Sequence, residues 1–399
     1  MSIQQFPCPQ CGANLAFKPD STLLVCANCG HEEEFTPAKT AIVELDYAQH
    51  LTKLGAEADT HEVLTVKCQR CGAETTLEPN VTASNCPFCG TPMVMTSHSQ
   101  RLIKPQSLLP FSINHDKAQE LFRDWLKSLW FAPNGLLKQA YSDETDIKGI
   151  YLPHWTYDCE TTSQYTGERG EHYYETEHYT ETDDKGNTVH KTRQVRKTHW
   201  YPASGVVHDS FDDILVVATD SLPPTYIEML EPWDLPQLVP YQAEYLSGFR
   251  SESYRIPLPD GFEVAKTKMA SKITASIKAD IGGDVQRIHS QTSHHDNVTF
   301  KHILLPTWLN AYRYQEEIYR FLVNARTGEV QGERPLSWWK IIFAVLLDLI
   351  LASMTAYGGS LVTAEDYIAV TLGGVAILAL IGLMAIYMLA SEGHRKAKK

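Results

Sequence analysis

The chain has 399 residues and carries 35 Lys+Arg against 48 Asp+Glu, a formal net charge of −13. That length suits two or three domains, and the charge is too acidic to coat nucleic acid in bulk. Hydrophobic residues at 43% and charged residues at 21% exclude wholesale disorder and collagen-like or low-complexity chains.

From the start of the chain, Met1 to Pro7 shows no apolar signal region, and eight of the nine cysteines then fall in four Cys-x-x-Cys pairs. Reduced thiols on the cytoplasmic side are therefore expected, rather than a disulfide scaffold. Cys8, Cys11, Cys26 and Cys29 are repeated by Cys68, Cys71, Cys86 and Cys89, each displaced by 60 positions. Fourteen residues separate the pairs in both sets, the spacing of a four-thiolate tetrahedral zinc site. Four thiolates fill the shell and leave no position for water or substrate, so two structural Zn2+ ions are expected; iron in the same geometry and redox dithiols are the competing assignments. A glycine follows the second cysteine of each pair (Gly12, Gly30, Gly72, Gly90), where a tight knuckle needs left-handed backbone angles. The units are placed at 1–35 and 63–100, with a linker over 36–62 in which Ala41 to Ala58 can form a short helix.

The central region, 101–334, is expected to combine helices with antiparallel sheet. Ala118, Leu121, Phe122, Trp125, Leu126 and Leu129 recur at helical spacing before Pro133, and a second helix runs from about Asp260 to Ile281, ending at Gly282-Gly283. Each precedes a Leu-Pro-x-Trp segment, Leu152 to Trp155 and Leu305 to Trp308, at a spacing of 153. Two related helix-plus-sheet units are therefore expected. Between them, six acids from Glu171 to Asp184 face five bases from Lys185 to Lys197 across a turn signal at Asp183 to Asn187. This predicts a long charged hairpin over 171–200, either a docking arm or simply a solvated strand pair.

Two apolar runs follow, Ile341 to Tyr357 interrupted by Asp348, and the uncharged Tyr367 to Ala390. They predict a transmembrane hairpin over 335–390 with a basic tail over 391–399. Arg334, Lys340, Arg395, Lys396, Lys398 and Lys399 flank it and Glu365 and Asp366 lie between, which places both termini in the cytoplasm of a multi-pass inner-membrane protein.

The stretches Phe6-Pro-Cys8-Pro-Gln-Cys11-Gly12 to Cys29-Gly30 and Cys68-Gln-Arg-Cys71-Gly72 to Cys86-Pro-Phe-Cys89-Gly90 resemble zinc ribbons of the transcription-factor-IIB type. With Leu-Pro-His-Trp155, Trp200-Tyr-Pro-Ala-Ser-Gly205 and the apolar end, the layout resembles a bacterial family of uncharacterised membrane-anchored zinc-ribbon proteins. Its members are often labelled as related to primosomal protein N′ (replication factor Y), a superfamily II helicase. Similar layouts accompany flotillin-like (SPFH) and phage-shock-type proteins, so the resemblance implies a role in a membrane-stress assembly. A helicase needs a Gly-x-x-x-x-Gly-Lys-Ser/Thr loop and a metal-holding acidic motif, and the sequence has neither. Residues 1–100 hold five bases and eleven acids, which disfavours phosphate binding by the ribbons.

No His-Glu-x-x-His, Gly-x-Ser-x-Gly or Gly-x-Gly-x-x-Gly occurs, so no catalytic residues are assigned. His289, His294, His295, Asp296 and His302 read as a polar turn before a second metal site. Cys159 reads as a buried thiol, and Trp125, Trp130, Trp200, Trp233 and Trp308 read as core. The fold class expected is multidomain α+β: two tandem zinc ribbons, a duplicated helix-plus-sheet region and a two-helix transmembrane hairpin. The expected role is a non-catalytic adaptor or scaffold for protein partners, with a membrane-tethered nucleic-acid-binding protein as the alternative and no small-molecule substrate.

Overall fold

Two units divide the chain, one formed by Met1–Gln119, Asp146–Ala311 and Arg320–Gly332, the other by Glu120–Thr145, Tyr312–Tyr319 and Glu333–Lys399. A computed structural model describes residues 6–52, 60–76, 83–94, 97–133, 135, 147–182, 188–314 and 317–359.

The first unit begins with a three-stranded sheet of β1 (Leu15–Phe17), β2 (Leu23–Cys26) and β3 (Glu32–Glu34) in that order. Next come β4 (Leu45–Asp46) and α1 (Tyr47–Thr52), a single short helix in place of the longer one expected across the linker. β5 (Thr60–Lys67) and β6 (Glu74–Thr76) come after it, then the two-stranded pair β7 (Ala83–Asn85) and β8 (Pro92–Val94). β9 (Ser97–Ile103) then pairs back onto β5.

After β10 (Ser107–Leu108), Asn114 caps α2 (His115–Ser128) by accepting the Lys117 amide at 2.9 Å. Three very long strands, β11, β12 and β15, dominate the remainder of the sheet. β11 (Lys148–Thr182) and β12 (Thr188–Val217) form one antiparallel ladder, and α3 (Pro224–Glu228), β13 (Val239–Pro240) and β14 (Arg250–Ser251) lead to α4 (Leu258–Ile281). β15 (Val285–Tyr314), β16 (Glu317–Asn324) and β17 (Val330–Gly332) complete a nine-stranded sheet with central order β12-β11-β15-β10-β13.

Strand length follows from composition. From Cys159 to Tyr165, β11 alternates buried Cys159, Thr161, Ser163 and Tyr165 with residues turned to solvent, the period of a half-covered sheet rich in β-branched and aromatic residues. α4 supplies the cover: Phe262, Ala265, Met269, Ile273, Ile277 and Ile281 form one buried stripe packed with Trp155, Tyr157 and Phe300. The opposite face of β11 and β15 packs Ile150, Leu152, Ile303 and Leu305 against Leu222, Ile227 and Trp233.

β15 leaves the ladder at Val285 opposite Gly170, so from Glu171 to Thr182 only β12 accompanies β11. This two-stranded arm extends roughly 40 Å at about 3.3 Å per residue. Ion pairs link its strands: Glu175 with Lys197 at 2.5 Å, Glu177 with Arg193 at 3.0 Å and Glu181 with Lys191 at 2.6 Å. Its turn, Asp183 to Asn187, lies outside the described residues.

In the second unit, the first apolar run forms α5 (Trp338–Gly359). The expected transmembrane hairpin is not supported, and with it fall the two spans, the multi-pass inner-membrane placement and the fold class built on them. Among the described residues no helix is long and apolar enough to cross a membrane. An apolar count alone does not make a span: Asp348 interrupts this run, and Lys340 in the first turn is engaged by protein, donating to the carbonyls of Trp130 at 2.9 Å and Ala132 at 2.7 Å. The second run, Tyr367 to Ala390, and the tail lie outside the described residues, as does the side chain of Asp348.

Candidate metal centres

Each Cys-x-x-Cys pair sits in the same hairpin turn, drawn four times. The amide of Cys8 donates to Ala13 O at 2.6 Å and that of Gly12 to Cys8 O at 2.9 Å; Cys26 with His31, Cys68 with Ala73 and Cys86 with Thr91 repeat the pattern. The glycines complete it with φ of 75°, 74°, 77° and 66° at Gly12, Gly30, Gly72 and Gly90, angles that a Cβ would strain.

These turns bring the eight predicted sulfurs into two groups of four, within each of which the ligand atoms lie no more than 4.8 Å apart. Cys8 and Cys29 Sγ are separated by 3.6 Å and Cys11 and Cys26 by 3.5 Å; Cys68–Cys89 and Cys71–Cys86 are both 3.6 Å. A disulfide would need about 2.05 Å. A tetrahedron with metal–sulfur arms of about 2.3 Å has edges of about 3.8 Å, so the spacing fits a tetrahedral ion. The donor set fits as well. Ala13's backbone amide, then Asn28 and Cys26, hold the Cys11 thiol down to about 6, and the Cys86 thiol holds Cys71 down to about 5. Each cluster thus already favours a thiolate, the form that binds metal.

The first ribbon is anchored by the edge away from its sulfurs. Ser247 Oγ donates to Leu15 O at 2.6 Å, Phe17 N donates to Ser247 O at 2.9 Å, and the Phe17 ring meets Tyr245 at 5.2 Å. The second ribbon is part of the main core, where Cys68, Ala73, Cys86, Phe88 and Cys89 pack with Ile150, Leu305 and Trp233.

The remaining candidates do not assemble. His294 and His295 are consecutive on β15 and face opposite sides of the sheet; His289 lies 3.6 Å from Glu168, and buried His302 hydrogen-bonds through Nδ1 to Ile103 O at 2.9 Å. Cys159 is buried with its Sγ 3.5 Å from Met269 Sδ, and burial, then Asp158 and Asp296, push its thiol up to about 11. Trp233 and Trp308 are core residues, but Trp130 is 76% exposed, against expectation.

Sequence reasoning missed a group formed by Asp158, Asp212 and Asp213 at the bulge where β11 and β12 slip register. Asp213 takes a φ of 51° there, and its amide donates to Asp158 Oδ1. Lys301 Nζ occupies this group, 2.7 Å from Asp213 and 3.8 Å from Asp158, with Glu44 at 2.9 Å. The Asp212-Asp213 pair was visible in the sequence, but the bulge that joins it to Asp158 was not.

Fold and site thus define a protein with two four-cysteine, zinc-ribbon-like centres mounted on a long-stranded sheet. No family model matches the chain. It is similar to a Bacillus subtilis (strain 168) protein described as uncharacterized protein YdjG, at 27% identity over 343 residues, which are 85% of this chain and 92% of that protein. That likeness and the two cysteine clusters support a zinc-ribbon-like protein; they do not establish the helicase-labelled family.

Proposed function

We propose that the chain is a zinc-ribbon adaptor: each four-cysteine cluster holds one Zn2+ as a structural ion, and the β11/β12 arm docks a protein partner. Bound zinc supplies no open coordination position here, since four thiolates complete the shell; it staples a module with little core of its own.

The arm carries the docking half. From Glu171 to Thr182 and Thr188 to His199, neither outer edge has a strand partner among the described residues. Its charges compensate one another, and Tyr174 is 65% exposed. A rigid, charge-balanced hairpin with exposed tyrosines suits protein recognition, where aromatic side chains supply most of the binding energy. The solvent-facing edge of the first ribbon is β3, Glu32-Glu33-Glu34, which repels phosphate.

A photo-crosslinking residue introduced in cells at Tyr174 or Tyr179 tests this, with exposed Val43 in the linker as the comparison. Adducts of discrete mass from the arm and none from Val43 are expected. No adduct from either arm position, or the same adducts from Val43, would overturn the docking role.

A further inference from the structure

The two clusters have the same ligands but different surroundings. In the first, Cys8 and Cys26 are buried while Cys11 and Cys29 are exposed. A Cβ at Gly12 or Gly30 would meet nothing within 4 Å, so both turns face open space. In the second, Cys68, Cys86 and Cys89 are buried and Cys71 is half-buried. Phe88, inside the Cys86–Cys89 turn, is 0% exposed in the main core, whereas its counterpart sixty residues earlier is exposed Asn28. Arg255 covers the Gly72 turn, its guanidinium 3.3 Å from where a Cβ would stand, and Ala311 backs Gly90.

We infer that the first cluster is an exchangeable, oxidant-responsive zinc site, while the second is a permanent strut of the core. This rests on the zinc assignment proposed above. Zinc leaves a four-thiolate site only when a competing ligand reaches the metal or an oxidant reaches a sulfur, and both need access. Cys11 and Cys29 give that access; the core denies it to Cys68, Cys86 and Cys89.

With a peroxide as the two-electron oxidant, the thiolate of Cys11 or Cys29 attacks one peroxide oxygen. The S–O bond forms as the O–O bond breaks, and the departing hydroxide takes a proton to become water. A second thiolate of the cluster, within 4.8 Å, then attacks the sulfenic sulfur, forming an S–S bond and expelling the oxygen as a second water after protonation. Two thiolates have lost two electrons, the peroxide has gained them with two protons, and Zn2+ departs after losing two ligands.

The full-length protein, first shown to hold two zinc ions per chain, is mixed with excess chromogenic chelator and, separately, with hydrogen peroxide. One equivalent is expected to leave on the order of tenfold or more faster than the other in both experiments. Cys29→Ser should abolish the fast phase and keep the slow one, and Phe88→Asn should speed the slow one. Peptide mapping of the peroxide-treated wild type, which needs no variant to fold, should find disulfide among Cys8, Cys11, Cys26 and Cys29 before any among Cys68, Cys71, Cys86 and Cys89. Equal release rates, a fast phase that survives Cys29→Ser, or disulfide first in the second cluster would overturn the inference. Fewer than two zinc ions at the outset would overturn the zinc assignment itself, and the inference with it.

Discussion

Leu152 on β11 stands directly opposite Leu305 on β15, and these are the leucines that open the two Leu-Pro-x-Trp segments. The segments therefore cross one another antiparallel at their point of correspondence. Their tryptophans act reciprocally: Trp155 Nε1 donates at 3.0 Å to Ile256 O, just before α4, and Trp308 Nε1 donates at 2.8 Å to Ile113 O, just before α2. Each segment thus fixes the approach to the other segment's helix. Trp155→Phe and Trp308→Phe should each destabilise the protein by about 1–3 kcal/mol, because a buried carbonyl is left without its donor. Chemical denaturation checks this; a change within about 0.5 kcal/mol for either would show that the indole bond contributes nothing there.

Lys301 should matter more than any arm charge. Its side chain is 7% exposed and answers to Glu44, Asp158 and Asp213 together. Lys301→Met strands these carboxylates and should cost about 3–5 kcal/mol at neutral pH. Glu44→Gln, at a half-exposed site, should cost less than about 1 kcal/mol. Burial first of all raises the Asp158 carboxyl to about 6, so the Lys301→Met penalty should shrink as pH falls below that value and the stranded acid protonates. Denaturation midpoints at pH 5 and pH 8 separate the two cases.

Glu252 carries a pH signature of its own. It is wholly buried beside the second ribbon, and burial pushes its carboxyl up to about 8 although Ser221 and Thr219 hydrogen-bond it, Thr219 Oγ1 donating at 2.7 Å. A carboxyl raised in the folded state stabilises fully below its unfolded value of 4.5, and that contribution is lost as pH rises through about 8. Wild-type stability should therefore fall by on the order of 3 kcal/mol between pH 5 and 8 through this group alone. Glu252→Gln should flatten that slope in thermal melts taken across the range; an unchanged slope would place the ionisation elsewhere.

Loss of one cysteine should have unequal structural consequences. Cys86→Ser disrupts a turn that packs with Ile150, Leu305 and Trp233, so cooperative unfolding of the main core should shift by several kcal/mol. Cys8→Ser loosens a module held through Leu15 and Phe17, so hydrogen exchange should rise in the first ribbon while β11 and β15 stay protected. Equal loss of protection in β11 from both variants would refute the difference.

Local features of the fold and site are legible in the sequence. The sixty-residue cysteine displacement fixes both clusters because metal-ligand spacing is local, and α4 emerges within two residues of its expected start because its buried stripe and Gly282 are local as well. The linker helix shrinks to Tyr47–Thr52, preceded by β4, because pairing of Leu45 and Asp46 with β15 is a long-range event. The Asp158–Lys301 group depends on a bulge, and the unequal burial of the two clusters on packing from α3 and β15, neither of which leaves a periodic trace. The inequality does leave one mark in the sequence, Asn28 against Phe88, whose meaning depends on the core around it.

Gly261 offers a test in which local preference and packing point in opposite directions. It lies in the first turn of α4, where alanine is the better helix former by about 1 kcal/mol. A Cβ there would stand 2.5 Å from Tyr157 Oη and 2.8 Å from Trp155 Cδ1. Neither ring can yield cheaply, since Tyr157 Oη donates to Leu258 O at 2.6 Å and Trp155 Nε1 to Ile256 O, and both rings are 0% exposed. Overpacking of this kind costs about 1–3 kcal/mol, so Gly261→Ala should destabilise the protein despite its helix propensity. Gly261→Ala combined with Tyr157→Phe, which removes the nearest atom, should recover part of the loss. A stabilised single variant in urea titrations would mean that α4 sits farther from β11 than these distances allow.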